Sequence, residues 1–208
     1  MNKEKKLWGE IYRVVIDNGK PAIFETLQGE GRWTGTPATF IRLGACNLKC
    51  DFCDTEFNNW EHMTVREIVN LLPKPEHIVI TGGEPTLQDL GPLVEALHQC
   101  NKYVSVETNG TRKIPEEWGI DWICCSPKDR WFPTPLHIER ADEVKVVIAK
   151  DEPLPIHYKD QIPAKHYYVQ PINHESDIDH DALKWACDQA IKEGWQLCVQ
   201  LHKLINIP

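Results

Sequence analysis

Apolar and polar positions alternate along this chain in short blocks of two kinds. Ile11-Tyr12-Arg13-Val14-Val15-Ile16 and Ala38-Thr39-Phe40-Ile41-Arg42-Leu43 are β-rich runs with polar residues set among apolar ones, the pattern of buried or half-buried strands. His77–Ile80, Tyr103–Thr108, Trp122–Cys125, Glu143–Ile148 and Tyr167–Val169 read as further strands, and Trp195–Leu201 as the last. Between them the spacing of apolar residues lengthens to that of a helix. Thr64-Val65-Arg66-Glu67 is a capping box ahead of Ile68, Val69, Leu71 and Leu72, with Pro73 and Pro75 as the stop. Leu90–Cys100 presents Leu93, Val94 and Leu97 on one face, and Asp179–Glu193 is a helix ended by Gly194.

The connections carry their own signals. Asn18-Gly19 predicts a tight turn, so 11–27 reads as a hairpin. Residues 28–37 hold three glycines and a proline and read as a loop. So do residues 151–165, with Pro153, Pro155 and Pro163. Residues 1–8 are polar and read as a mobile terminus. Strand and helix alternate elsewhere, which predicts an α/β fold on a largely parallel sheet. Several links, notably 126–142, are too short or proline-rich for a helix, so the expectation is a partial, incomplete TIM-like barrel with some crossover helices missing. With 208 residues the chain suits one domain, 1–208, in which 1–20 are an N-terminal extension and the first hairpin strand.

Composition narrows the function classes. A net charge of −8 argues against a surface that coats nucleic acid. The start, Met1-Asn2-Lys3-Glu4-Lys5-Lys6, is charged and no apolar core of a signal peptide follows. No apolar run approaches the ~18 residues of a membrane span. Eight cysteines at irregular spacing do not read as a disulfide framework, and the expectation is reduced thiols in the cytoplasm.

Three of those cysteines, Cys46, Cys50 and Cys53, fall within eight residues as C-x3-C-x2-C. Thiolates at such spacing suit an iron–sulfur centre or zinc. A structural zinc closes with four ligands, and the nearest histidine downstream is His62. Three ligands suit a four-iron cluster with one iron left open. Other groups with chemistry gather at the predicted C-terminal ends of strands: Thr81-Gly82-Gly83-Glu84-Pro85, Glu107–Asn109, Ser126-Pro127-Lys128 and Gln170-Pro171-Ile172-Asn173. Parallel α/β folds bind ligands at that edge, so these segments are expected to form one site. Cys100, Cys124, Cys125, Cys187 and Cys198 read as packing. His137, His166, His174 and His180 read as scattered and solvated. Taken alone, Arg42 reads as a structural ion pair and Lys128 as a surface residue.

The cysteine loop and Gly82-Gly83-Glu84-Pro85 resemble the motifs of the radical S-adenosylmethionine (SAM) superfamily. The start Thr26-Leu27-Gln28-Gly29-Glu30-Gly31 narrows the resemblance, as do Cys53-Asp54-Thr55, Ser126-Pro127-Lys128 and Gln170-Pro171. With the tail from Gln200-Leu201-His202-Lys203 to Asn206-Ile207-Pro208, they resemble the 7-carboxy-7-deazaguanine synthase family over about residues 23–208. The resemblance implies a carbon–nitrogen lyase of queuosine and 7-deazapurine biosynthesis. It would convert 6-carboxy-5,6,7,8-tetrahydropterin to 7-carboxy-7-deazaguanine with loss of ammonia.

It also implies site roles. Cys46, Cys50 and Cys53 would bind one 4Fe-4S cluster, and Thr55 would bind Mg2+. Phe52, Cys53, Asp54 and Gly83 would contact SAM, as would Ser126, Pro127 and Lys128, and Gln170, Pro171, Ile172 and Asn173. Leu27, Gln28, Gly29, Arg42, Thr81 and the terminal carboxylate of Pro208 would bind the pterin. No protein side chain would be catalytic, because the radical is borne by the cofactor. His202 and Lys203 are further candidates near the tail. A homodimer and an electron donor such as flavodoxin or ferredoxin are implied as partners. Two alternatives stay open at this point: another radical SAM enzyme, such as a glycyl-radical activase, and a zinc-binding module without catalysis.

Overall fold

Strands that are apolar on one face and polar on the other need something to cover both, and here helices and an inner cavity do so. In the computed structural model, residues 6–173 and 178–208 are described. The strands in chain order are β1 (Ile11–Asp17), β2 (Lys20–Pro21), β3 (Ile23–Leu27), β4 (Pro37–Leu43), β5 (Trp60–Thr64) and β6 (His77–Gly82). They continue as β7 (Tyr103–Thr108), β8 (Trp122–Cys125), β9 (Glu143–Ile148), β10 (His166–Pro171) and β11 (Gln196–Leu197). The helices are α1 (Val65–Asn70), α2 (Gly91–Gln99), α3 (Tyr158–Gln161), α4 (His180–Glu193) and α5 (Leu201–Ile205).

All strands join one sheet, ordered β11-β10-β9-β8-β7-β6-β4-β1-β2, with β3 also on β4 and β5 on β1. From β4 to β11 every pairing is parallel. The two ends of the path are not paired among the described residues, so the barrel is partial, as expected.

The period of two sorts the side chains. Ile78, Ile80, Val104 and Val106 join Leu93 and Leu97 of α2 in one apolar cluster. Val144, Val146, Ile148 and Val169 join Ala186 and Ala190 of α4 in another. Burying Leu93 or Leu97 completely stabilises the fold by about 2 kcal/mol each. Toward the strand tips polar side chains face inward: Thr81, Glu107, Lys145 and Gln170 line the barrel's cavity. Its floor is aromatic. Trp33 packs edge-on against His77, Tyr103 and Trp122 at 5.4–5.6 Å.

The loop 28–33 crosses the open side of the barrel as a strap. Arg32 N donates to Glu143 Oε2 at 2.8 Å, Gly31 N to Cys198 Sγ at 3.2 Å, and Leu201 N to Gly29 O at 2.9 Å. Two glycines permit this approach. A side chain on Gly29 would collide with the His202 ring, and one on Gly31 (φ +64) with the Glu143 carboxylate.

Several expectations are corrected. The hairpin 11–27 is short: only Ile16↔Pro21 and Asp17↔Lys20 pair across the Asn18-Gly19 turn. At Ala22 the chain changes partner, and β3 runs antiparallel to β4 from Ile23↔Ile41 to Leu27↔Pro37. β1 pairs instead with β5, which the pattern had not predicted. The last strand is two residues, not seven, because the ladder ends at the bond from Cys198 N to Val169 O at 2.8 Å and α5 follows. The short helix α3 lies in the expected loop 151–165. Residues 6–8 are not a free terminus: Leu7 is buried, and Arg66 lies over the Trp8 ring. Residues 1–5 and His174 lie outside the described residues, and His166 packs against Trp122 and Tyr168.

Candidate active site

The cysteine loop begins where β4 ends, and backbone geometry fixes its position. Gly83 N donates to Leu43 O at 3.0 Å, and Glu84 N to Ala45 O at 2.9 Å. Cβ atoms on Gly82 or Gly83 would strike the backbone of Leu43 and Ala45. The paired glycines therefore serve first to seat the cysteine loop on the tip of β6, a role the sequence had not suggested. Glu84 carries the same joint to β7. Its fully buried carboxylate accepts from Thr86 N and Oγ1, Thr108 Oγ1 and Asn109 N at 2.5–3.1 Å. From the other side, Gly44 N donates to Arg13 O at 2.8 Å and Ala45 N to Phe57 O at 2.9 Å. So β1, from the N-terminal extension, helps hold the loop.

The strand tips, the strap and the tail enclose a two-lobed cleft. The first lobe, about 1000 Å³ including its mouth, takes in Cys46, Cys50 and Cys53. It also takes in Phe52, Asp54 and Gly83, with Ser126 and Lys128 opposite. Gln170, Pro171, Ile172 and Asn173 complete its wall. Every residue expected to contact SAM is there except Pro127, which is buried and lines neither lobe. The second lobe, about 1220 Å³, is lined by all six expected pterin contacts: Leu27, Gln28, Gly29, Arg42, Thr81 and Pro208. Glu30, Asp54, Thr55, Thr81, Glu107 and Gln200 line both and form the shared wall.

The charges in the cleft are informative. Arg42 makes no ion pair among the described residues and lies over the Phe24 ring at 5.1 Å. The structural ion pair expected of it alone is absent there, and its guanidinium is left facing the second lobe. Lys128 is half-buried rather than on the surface. It donates to Ser126 O at 2.8 Å and Oγ at 2.5 Å. Burial pushes its pKa down, opposed by the nearby Cys50 thiol. Glu107 accepts from Gln28 Nε2 at 3.0 Å and Thr81 Oγ1 at 3.2 Å, so it orients two expected pterin contacts. Thr26 Oγ1 donates to Pro208 O at 2.9 Å, which brings the tail to the cleft.

The three thiols fit a cluster better than one ion. No three His, Cys, Asp or Glu among the described residues converge closely enough to hold a single metal, as a zinc site requires. A cube that meets each thiolate at a different corner does not need that convergence. All three cysteines are free and none is fully buried. Burial pushes Cys46 and Cys50 up from the ordinary thiol value, and a cationic metal centre would reverse that.

Glu107, from a strand-end segment expected at the site, lines the cleft as read. Some functional groups were missed: Glu30, Lys145 and Gln200 line the cleft without a role read from sequence. Cys124 lines the first lobe, and Cys198 donates to Gln170 Oε1 at 3.1 Å, so neither is mere packing. The available signal was the alternation in Glu143-Val144-Lys145-Val146, which places two charges on one face of a buried strand.

Comparison with known proteins agrees with this geometry. A model of the radical SAM superfamily matches residues 40–127. The chain is 44% identical over 187 residues to a 7-carboxy-7-deazaguanine synthase of Bacteroides thetaiotaomicron, covering 89% of this chain and 96% of that one. It is 36% identical over 199 residues to one of Haemophilus influenzae, covering 89% and 92%. A crystal structure of QueE from Escherichia coli matches with a TM-score of 0.75 at 25% identity, over 97% of this chain and 99% of that one.

Proposed function

The chain belongs to the 7-carboxy-7-deazaguanine synthase family of radical SAM enzymes, and from that premise we propose how its own residues carry the reaction. The activity is conversion of 6-carboxy-5,6,7,8-tetrahydropterin to 7-carboxy-7-deazaguanine and ammonia. Substrate and product differ by ammonia alone, so no net oxidant is consumed and any hydrogen removed from the ring must be returned. When bound, the cluster and SAM supply reversible hydrogen abstraction, the step no side chain here could perform.

The protein's part is placement. Cys46, Cys50 and Cys53 would hold the cluster, and Phe52, Asp54, Gly83, Ser126, Lys128 and Gln170–Asn173 would hold SAM in the first lobe, with Pro127 buried between Ser126 and Lys128 and fixing their backbone. In the second lobe Arg42 receives the pterin carboxylate, for which an unpaired guanidinium fork is suited. Leu27, Gln28, Gly29 and Thr81 orient the ring, and the Pro208 carboxylate accepts from its N–H edge. Thr55, on the wall between the lobes, offers a hard oxygen to Mg2+, an ion that takes few protein ligands and completes its shell with water and substrate. The strap and tail exclude water from the junction.

The observation that carries this reading is the sorting of the sequence-derived SAM and pterin contacts into two adjoining lobes. Arg42→Lys should weaken the pterin roughly ten- to hundredfold in an anaerobic binding titration, with SAM affinity unaltered; equal pterin affinity in both proteins would refute the carboxylate pairing. Thr55→Ala should abolish the stimulation of turnover by Mg2+, and a stimulation equal to wild type would remove Thr55 as a ligand. We further read 1–208 as one domain of a cytoplasmic homodimer that takes electrons from a flavodoxin or ferredoxin. The described residues include no helix long and apolar enough to cross a membrane.

A further inference from the structure

We propose that the buried Glu30–Lys145 pair is a positioning device that makes occupancy of the two lobes mutually dependent, an inference that rests on the function proposed above. Neither residue belongs to the expected SAM or pterin contacts, yet both are largely buried, with side chains 13% and 6% exposed: Glu30 on the wall the two lobes share and Lys145 beside it in the first lobe. Glu30 ties three other parts of the molecule to the strap at once. Its own backbone belongs to the strap, directly after Leu27-Gln28-Gly29 of the pterin lobe. One carboxylate oxygen takes the Lys145 ammonium from β9. The other accepts from Gln170 Nε2 at 3.1 Å and from Gln200 Nε2 at 2.9 Å.

Gln170 opens the segment that lines the SAM lobe, and Gln200 opens the tail that ends at Pro208. A second path runs beside the first. Asn173 Nδ2 donates to Gln200 Oε1 at 3.1 Å, and Lys203 on α5 pairs with Asp54 of the SAM lobe at 2.6 Å. Ordering Gln170–Asn173 around SAM thus fixes the strap and tail that receive the pterin, and the pterin fixes them for SAM. A ligand that meets an already ordered wall loses less conformational entropy, and the effect must be reciprocal. Lys145 is the anchor because β9 is an inner strand paired on both sides, whereas strap and tail are not.

The test uses anaerobic holoprotein with its cluster kept oxidised, so that SAM and 6-carboxytetrahydropterin bind without reacting. In wild type, saturating pterin should tighten SAM about tenfold, and saturating SAM should tighten the pterin by the same factor. Glu30→Gln leaves Lys145 facing an amide, and Lys145→Met leaves the carboxylate without its cation; each should bring the coupling factor to about one. Single variants that fold poorly do not end the test. In the double variant Glu30→Gln/Lys145→Met the pair is removed as a unit, so it should be more stable than either single variant while the coupling stays lost. Independent binding in wild type, or tenfold coupling in the double variant, would overturn the proposal. Wild-type protein that loads its cluster and SAM but neither binds nor converts the pterin would instead count against the function itself.

Discussion

Glu84 shows how much a single residue of the site can carry without touching a ligand. It has four hydrogen bonds and no cation partner among the described residues. Burial pushes its pKa up despite those bonds. Glu84→Ala would strand the buried amides of Thr86 and Asn109 and should cost about 2–3 kcal/mol in urea unfolding; a loss near zero would show that water replaces the carboxylate. Glu30 behaves in the opposite sense. Burial alone would raise it, but the Lys145 ammonium, with His202 and Gln200, holds it down to about 2. The unfolded chain therefore takes up that proton first as pH falls, and the pair's stabilisation is complete above about 4.5 and lost between there and 2. The wild-type stability curve should accordingly fall more steeply below pH 4.5 than that of Glu30→Gln/Lys145→Met. The cluster is common to both, so the difference reports the loss of the Lys145 ammonium and its carboxylate partner; parallel curves would contradict the assignment.

At the scale of elements, locally encoded features were legible and non-local ones were not. The capping box is formed as the sequence implied: Thr64 Oγ1 accepts from Glu67 N, and the Glu67 carboxylate accepts from Thr64 N. Thr64→Ala should destabilise by about 1 kcal/mol, read by thermal unfolding, with activity retained. Asp179 and Gly194 cap α4 at the places their chemistry predicts. The hairpin and last strand were misread for a shared reason. Asn18-Gly19 does specify its turn, but nothing local says that β3 finds more buried surface on β4 than on β1. Likewise 195–201 has strand composition, yet Gln200 is claimed by Asn173 and Glu30 and the chain turns into α5. That turn delivers the C-terminus. Removing Pro208 should weaken the pterin about tenfold or more while SAM measured alone binds as before; unaltered pterin affinity would exclude the tail from the site.

For the whole molecule, an incomplete barrel creates both an opportunity and a cost. Leaving β11 and the β1–β5 side unjoined opens the lumen to ligands, and it also exposes a polar interior. Strap and tail cover the gap with glycines where they must approach closely and with Glu30 at the crossing. The site's address at the strand tips could be read from sequence because parallel α/β topology dictates it and the motifs sit at fixed places after strands. The inner wall of Glu30, Lys145 and Gln200 was harder to see, because inward charges become meaningful only once the sheet curls and sets distant strands face to face.

The central claim is that a cluster held by Cys46, Cys50 and Cys53 stands beside a pterin lobe, and anaerobic turnover tests it most directly. Reconstituted wild-type protein, given 6-carboxy-5,6,7,8-tetrahydropterin, SAM, Mg2+ and a strong reductant, should form 7-carboxy-7-deazaguanine with one equivalent of ammonia. Cys50→Ala should form none while keeping the wild-type circular dichroism spectrum. Failure of the wild type with cluster and SAM both bound, or product formation by Cys50→Ala at the wild-type rate, would contradict the account.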